Sequence, residues 1–162
     1  MTDQRQSESF QTPDLVVAET GKYVPEQQAY LNLMRTAEVL GQRVSDLMSG
    51  YGISGKQYNV LRAIRRGGDG GLSISQISEQ MTDPRADVTR LLDRLVRDGL
   101  VDRQPDETDR RVVRTYLTEA GANLLESLDE PLLTTHKDQF SQLSKAEIEQ
   151  LTDLLRKTRG EA

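Results

Sequence analysis

The stretch from Ser73 to Thr118, SISQISEQMTDPRADVTRLLDRLVRDGLVDRQPDETDRRVVRTYLT, leaves the chain the least freedom. Its second helix has the clearest ends. Asp83 carries a carboxylate able to accept from the unpaired N–H groups of a helix start. Pro84 follows at the first helical position, where a missing N–H costs nothing. Val88, Leu91, Leu92 and Leu95 then recur at the spacing of one buried face, and Gly99 supplies a left-handed stop. Going round the helix at about 100° per residue puts Ala86, Arg90, Arg94 and Arg97 on the opposite side, flanked by Arg85 and Thr89. Ahead of this helix, Ser73 and Gln76 have capping-box spacing, and Ile74, Ile77 and Met81 form an apolar stripe. Only a tight turn fits between Met81 and Pro84, so the two helices match a helix-turn-helix.

A hairpin is predicted directly after it. Leu100 to Arg103 begins a strand, Gln104 to Asp109 is a polar loop, and Arg111 to Leu117 alternates, with Val112, Arg114 and Tyr116 on one side. Leu72 offers a third, short strand beside this wing. A helix face with arginines at its N-terminal end can enter a major groove and pair with guanine edges. An arginine at a hairpin tip can enter a narrow minor groove, and the neighbouring Asp109 is expected to hold Arg111 there through charge-assisted hydrogen bonds. Each piece alone has a plainer explanation. Asp87, Asp93 and Asp98 share the helix with the arginines, as on any solvated face, and Asp109-Arg110-Arg111 alone is a charged turn. The order helix, turn, helix, wing is what points to DNA.

These residues resemble the MarR family of winged-helix transcription regulators. The likeness covers nearly the whole chain after the N-terminal arm. It is most specific in DETDRRVVRTYLTEAG, Asp106 to Gly121, where the family has an Asp-x-Arg wing followed by Leu-Thr-x-x-Gly. DPRADVTRLLDRLVRDGLV, Asp83 to Val101, is similar to the family's recognition helix and first wing strand. The resemblance implies that Asp109 is the wing aspartate and Arg111 the arginine that reaches the minor groove. Arg85, Ala86, Thr89 and Arg90 would lie nearest the base edges. Arg103 and Arg110 are candidate phosphate contacts, which position a protein on DNA without specifying sequence. The family also implies a small, often phenolic or aromatic anionic effector in a cleft between the winged helix and the dimer helices. Tyr30, Tyr51, Tyr58, Arg62 and His136 are candidates to line it, although each has a structural explanation.

Composition narrows the alternatives. With no cysteine, the chain has no disulfide, no thiolate metal site and no thiol-based redox sensor. A single histidine, His136, makes a histidine metal site or catalytic pair unsupported. No nucleophile–base–orienter set, metal-ligand cluster or cofactor fingerprint is present, so neither enzyme activity nor a cofactor is expected. There is no long apolar run and no signal-peptide pattern, which makes a cytoplasmic location the default and a membrane partner unexpected. The net charge is −5. Between Thr82 and Arg114, eight arginines face eight acidic residues, so even this segment is neutral. Weak non-specific DNA binding and a need for dimeric contact follow. An acidic winged-helix module that binds a protein in place of DNA is the alternative.

The remaining chain divides into an arm at 1–22, helical dimerisation segments at 23–51 and 119–162, and the winged helix-turn-helix at 52–118. A long helix is predicted from Pro25 to Tyr51 and another from Ser54 to Arg66, with Tyr58, Leu61 and Ile64 inward. The glycines from Gly67 to Gly71 form a loop. Thr118 caps a long helix that Pro131 should kink or divide, and Ser144 with Glu147 starts the last one. The expected protein is mainly α with a small β-hairpin wing. It would be a homodimer, a repressor reading a pseudo-palindromic site in double-stranded DNA.

Overall fold

The computed structural model describes residues 24–81, 87–106 and 108–161. The chain divides into two compact units, Met1–Val39 and Leu40–Ala162. The element order is α1 (Pro25–Gly50), α2 (Gly55–Gly67), a single 3-10 turn (Gly68–Gly70), β1 (Leu72–Ser73), α3 (Ile74–Glu79), α4 (Val88–Arg97), β2 (Val101–Pro105), β3 (Val113–Leu117), α5 (Glu119–Gln139) and α6 (Lys145–Thr158). The sheet is antiparallel in the order β1-β3-β2. Leu72 thus pairs beside the wing as expected, opposite Thr115.

Local chemistry accounts for the helix ends. Ser54 with Gln57, Ser73 with Gln76 and Ser144 with Glu147 each form a reciprocal capping box, which satisfies two backbone donors at each start. Thr118 accepts from the Gly121 amide at 3.1 Å and donates to the Gly99 carbonyl at 2.7 Å, so one hydroxyl both starts α5 and ties it to the end of α4. Gly99, at φ 71°, ends α4 in a Schellman motif, with Leu100 N–H on the Leu95 carbonyl at 2.9 Å and Gly99 N–H on Val96 at 3.0 Å.

The core lies in the second unit, where Leu61 and Ile64 of α2, Ile77 of α3, Leu92 and Leu95 of α4, and Leu125 and Leu128 of α5 pack together. Arg65 forks onto Asp129 at 2.8 and 2.9 Å, linking α2 to α5 at the surface. The helix α6 contributes no buried residue and leaves Ile148 and Leu154 exposed. In the first unit, α1 exposes Tyr30, Leu33 and Met34.

Three expectations are corrected. The described helix α4 is capped by Asp87, whose side chain accepts from the Arg90 amide at 3.1 Å. It therefore starts four residues later than an Asp83 cap would place it, and Asp83 and Pro84 themselves lie outside the described residues. The wing strands are shifted: β2 continues through Pro105 and β3 begins only at Val113, because Pro105 still pairs with Val113 across the ladder. Of the kink or division expected at Pro131, division does not occur: α5 runs unbroken through it. A proline gives the carbonyl four residues earlier no N–H partner. That carbonyl, Ser127, instead accepts from the Tyr51 hydroxyl at 3.4 Å.

Candidate nucleic-acid interface

The α4 residues that pack inward, Val88, Leu92 and Leu95, force Thr89, Arg90, Arg94 and Arg97 outward, and all four are exposed. Arg90 stands 73% exposed in the first turn, its Nε 4.0 Å from the Asp87 carboxylate. Such a long contact between solvated groups restrains the side chain little. Arg85 and Ala86 lie outside the described residues.

The wing carries the other candidates. Arg110 and Arg111 are both exposed at its tip, and neither has an ion pair among the described residues. Asp109 does hold Arg111, but through the main chain: its Oδ1 accepts from the Arg111 amide at 3.0 Å. The expected charge-assisted bond to the guanidinium is therefore replaced by a turn that aims the residue and leaves its charge available. Arg103 is placed differently from an outward phosphate contact. Its Nη1 donates to Asp93 Oδ1 of α4 at 2.9 Å, and its side chain is 27% exposed. The Arg103 Nε and Nη2 and the fully buried Thr115 hydroxyl, directly across the ladder, have no partner among the described residues. Arg103 thus braces the wing against α4.

Two residues that sequence reasoning missed control this region. Asp106, read as part of a polar loop, accepts on Oδ1 from the Thr108 hydroxyl at 2.5 Å, the Thr108 amide at 2.8 Å and the Asp109 amide at 3.0 Å. Its Oδ2 accepts from Arg114 Nε. The Thr108 hydroxyl, then Arg114, then the two amides hold its carboxyl well below the usual carboxylate range. The available signal was Asp-x-Thr-Asp after a proline, a spacing suited to an Asx turn.

An open cleft of about 870 Å³ lies next to α4. Leu40 and Val44 of α1, Asn59 of α2, Arg94 of α4, His136 of α5 and Phe140 just after it are among its walls. Gln139, also on the lining, donates to the Leu40 carbonyl at 2.8 Å. Of the five residues expected at such a cleft, His136 lines it. Tyr58 and Arg62 are instead occupied with each other, the guanidinium 5.6 Å from the ring centre, and Tyr51 reaches Ser127. Among the described residues there is no cluster with metal-ligand composition, and no helix is long and apolar enough to cross a membrane.

Comparison with known proteins agrees with this geometry. A profile of the MarR family matches residues 51–112. The chain is 31% identical over 124 residues to the HTH-type transcriptional regulator PecS of Dickeya dadantii, covering 76% of this chain and 75% of PecS. A MarR transcription factor from Planctomyces limnophilus superposes with a TM-score of 0.64 at 35% identity, over 83% of this chain and 98% of that one. Bordetella bronchiseptica BpsR, whose DNA binding is regulated by 6-hydroxynicotinic acid, superposes with a TM-score of 0.73 at 25% identity, over 86% and 98%. With its capped recognition helix, three-stranded wing and arginine-tipped loop, the chain belongs to the MarR family of transcription regulators.

Proposed function

We propose that the chain acts as a homodimeric repressor that reads a pseudo-palindromic DNA site and is released by a small anionic effector. The observation that carries this reading is the pair of exposed wing-tip arginines, Arg110 and Arg111, beside an α4 face that presents Thr89 and Arg90. Thr89 and Arg90, with Arg85 and Ala86, would meet base edges in the major groove. Arg111 would enter the minor groove, with Asp109 setting its backbone, and Arg110 would contact phosphate. Arg103 would act through its brace to Asp93.

Residues 52–118 would form the DNA-binding part and 23–51 with 119–162 the dimerisation part. The uncovered apolar faces of α1 and α6 support a second copy as their cover. Two-fold symmetry would then set the recognition helices about one DNA turn, ~34 Å, apart. The cleft supports the effector: its walls are partly apolar, and Arg94 brings a cationic group from the recognition helix itself. The regulation of BpsR by 6-hydroxynicotinic acid is consistent with a small-molecule effector. An effector there would favour one spacing of the recognition helices over another.

The test is selection of bound sites from random duplexes, followed by titration of Arg111→Ala on the selected site. The variant should lose about 1–3 kcal/mol of binding free energy. Unchanged affinity would favour the acidic-module reading, in which this winged helix binds a protein.

A further inference from the structure

Alternation along β3 places Arg114 at the centre of the sheet, with Gln104 on one side and Ser73 on the other. An arginine there is costly unless its donors find partners. Its Nε donates to Asp106, and its Nη1 donates to the Gly70 carbonyl at 3.2 Å and the Gly71 carbonyl at 3.4 Å. Gly71 adopts φ +57°, and a Cβ added there would meet the Tyr116 ring at 2.6 Å. Only glycine lets that loop lie so close over β3. Arg114 therefore ties three segments together: the loop before β1, the central strand and the root of the wing.

The wing loop hangs from this point. Asp106, 9% exposed, collects its four side-chain bonds, and its amide donates to the Val112 carbonyl at 2.8 Å. The Val112 amide donates to Asp109 at 2.9 Å. Between these anchors stand Arg110 and Arg111, whose side chains have no partner among the described residues to fix them. Where they sit depends on the loop backbone, and the loop backbone is anchored through Asp106. We propose that Arg114, acting through Asp106, is the positioning residue of the wing: it holds Arg110 and Arg111 at the height and angle needed to reach DNA, and does not touch DNA itself. This rests on the assignment of Arg111 to a groove.

The test is a double-mutant cycle in the full chain, with a duplex selected by the wild-type protein and affinity followed over a range of salt. Arg111→Ala should weaken binding about 5- to 150-fold. Arg114→Ala should weaken it by a comparable factor, yet by a several-fold smaller one when Arg111 is already alanine, because only Arg110 is then left to position. A phosphate-contacting Arg114 would give independent losses and a salt slope reduced by about one more unit in the double variant, which overturns the proposal. Full affinity of Arg111→Ala would remove the groove assignment and the proposal together, whereas independent losses remove only the proposal. Hydrogen exchange supplies a readout without DNA: amides from Thr108 to Val112 should exchange faster in Arg114→Ala while those of α2 and α4 stay protected. Unchanged loop exchange would also overturn it. Should Arg114→Ala fail to fold, Asp106→Asn removes the same link with less change of shape and enters the same cycle.

Discussion

The helices α4 and α6 are built alike and used differently. Each starts from a side-chain cap, Asp87 or Ser144, and each repeats leucine or isoleucine at helical spacing. Yet α4 buries Val88, Leu92 and Leu95, while α6 buries nothing and leaves Leu154 53% exposed. An amphipathic pattern states that a face will be covered and leaves open what covers it. For α4 the cover is α2 and α3 of the same chain. For α6 the cover proposed above is another copy.

The largest expected effect separates these two cases. Leu92→Ala removes a fully buried side chain from the centre of the core and should cost about 2–5 kcal/mol in urea unfolding. Leu154→Ala should change the stability of the dilute monomer by no more than about 0.5 kcal/mol. Its cost should emerge only with rising protein concentration, as weaker self-association in sedimentation. An equal loss from both variants at high dilution would erase the distinction between the helices.

A smaller effect sharpens the same contrast with two glycines. Gly121 lies in the first turn of α5, and a Cβ there would overlap the Leu100 carbonyl oxygen. Gly121→Ala should therefore destabilise by about 1–3 kcal/mol, although alanine is the better helix former. Gly41 in α1 has open space around it, and Gly41→Ala should stabilise by about 0.5–1 kcal/mol. Thermal unfolding of the two single variants checks the opposite signs.

Gly121 also shows what the sequence could disclose. Its place in Leu117-Thr118-x-x-Gly121 was readable as a family signature, but the reason for the glycine is a long-range approach to the end of α4. Periodicity and caps were legible because they are local: the Ser73 and Ser144 capping boxes, the Gly99 stop and the inward Leu92 all follow from neighbours within four residues. The wing was harder. The Asp-Arg-Arg tip stood out by its charge, whereas its anchor, Asp106 with Arg114, joins residues eight apart and depends on carbonyls at Gly70 and Gly71. The Arg103 bond to Asp93 was hidden for the same reason: the acceptor sits on another element, ten residues earlier in the chain.

The helix α5 passes from one regime to the other, with Leu125 and Leu128 buried before Pro131 and Leu133 exposed after it. At the crossing, the proline leaves the Ser127 carbonyl without its helical donor, and Tyr51 supplies one at 3.4 Å. A bond this long and near the surface is weak, so Tyr51→Phe should cost less than about 1 kcal/mol. The informative measurement is the same substitution in a Pro131→Ala background, where an alanine N–H can reach Ser127 directly. There the Tyr51→Phe loss should fall toward zero, giving a coupling that neither single variant reveals. If the loss were the same in both backgrounds, the tyrosine would act through its ring packing alone. The proline would then be tolerated because water reaches Ser127, and the boundary between the buried and the uncovered half of α5 would owe nothing to Tyr51.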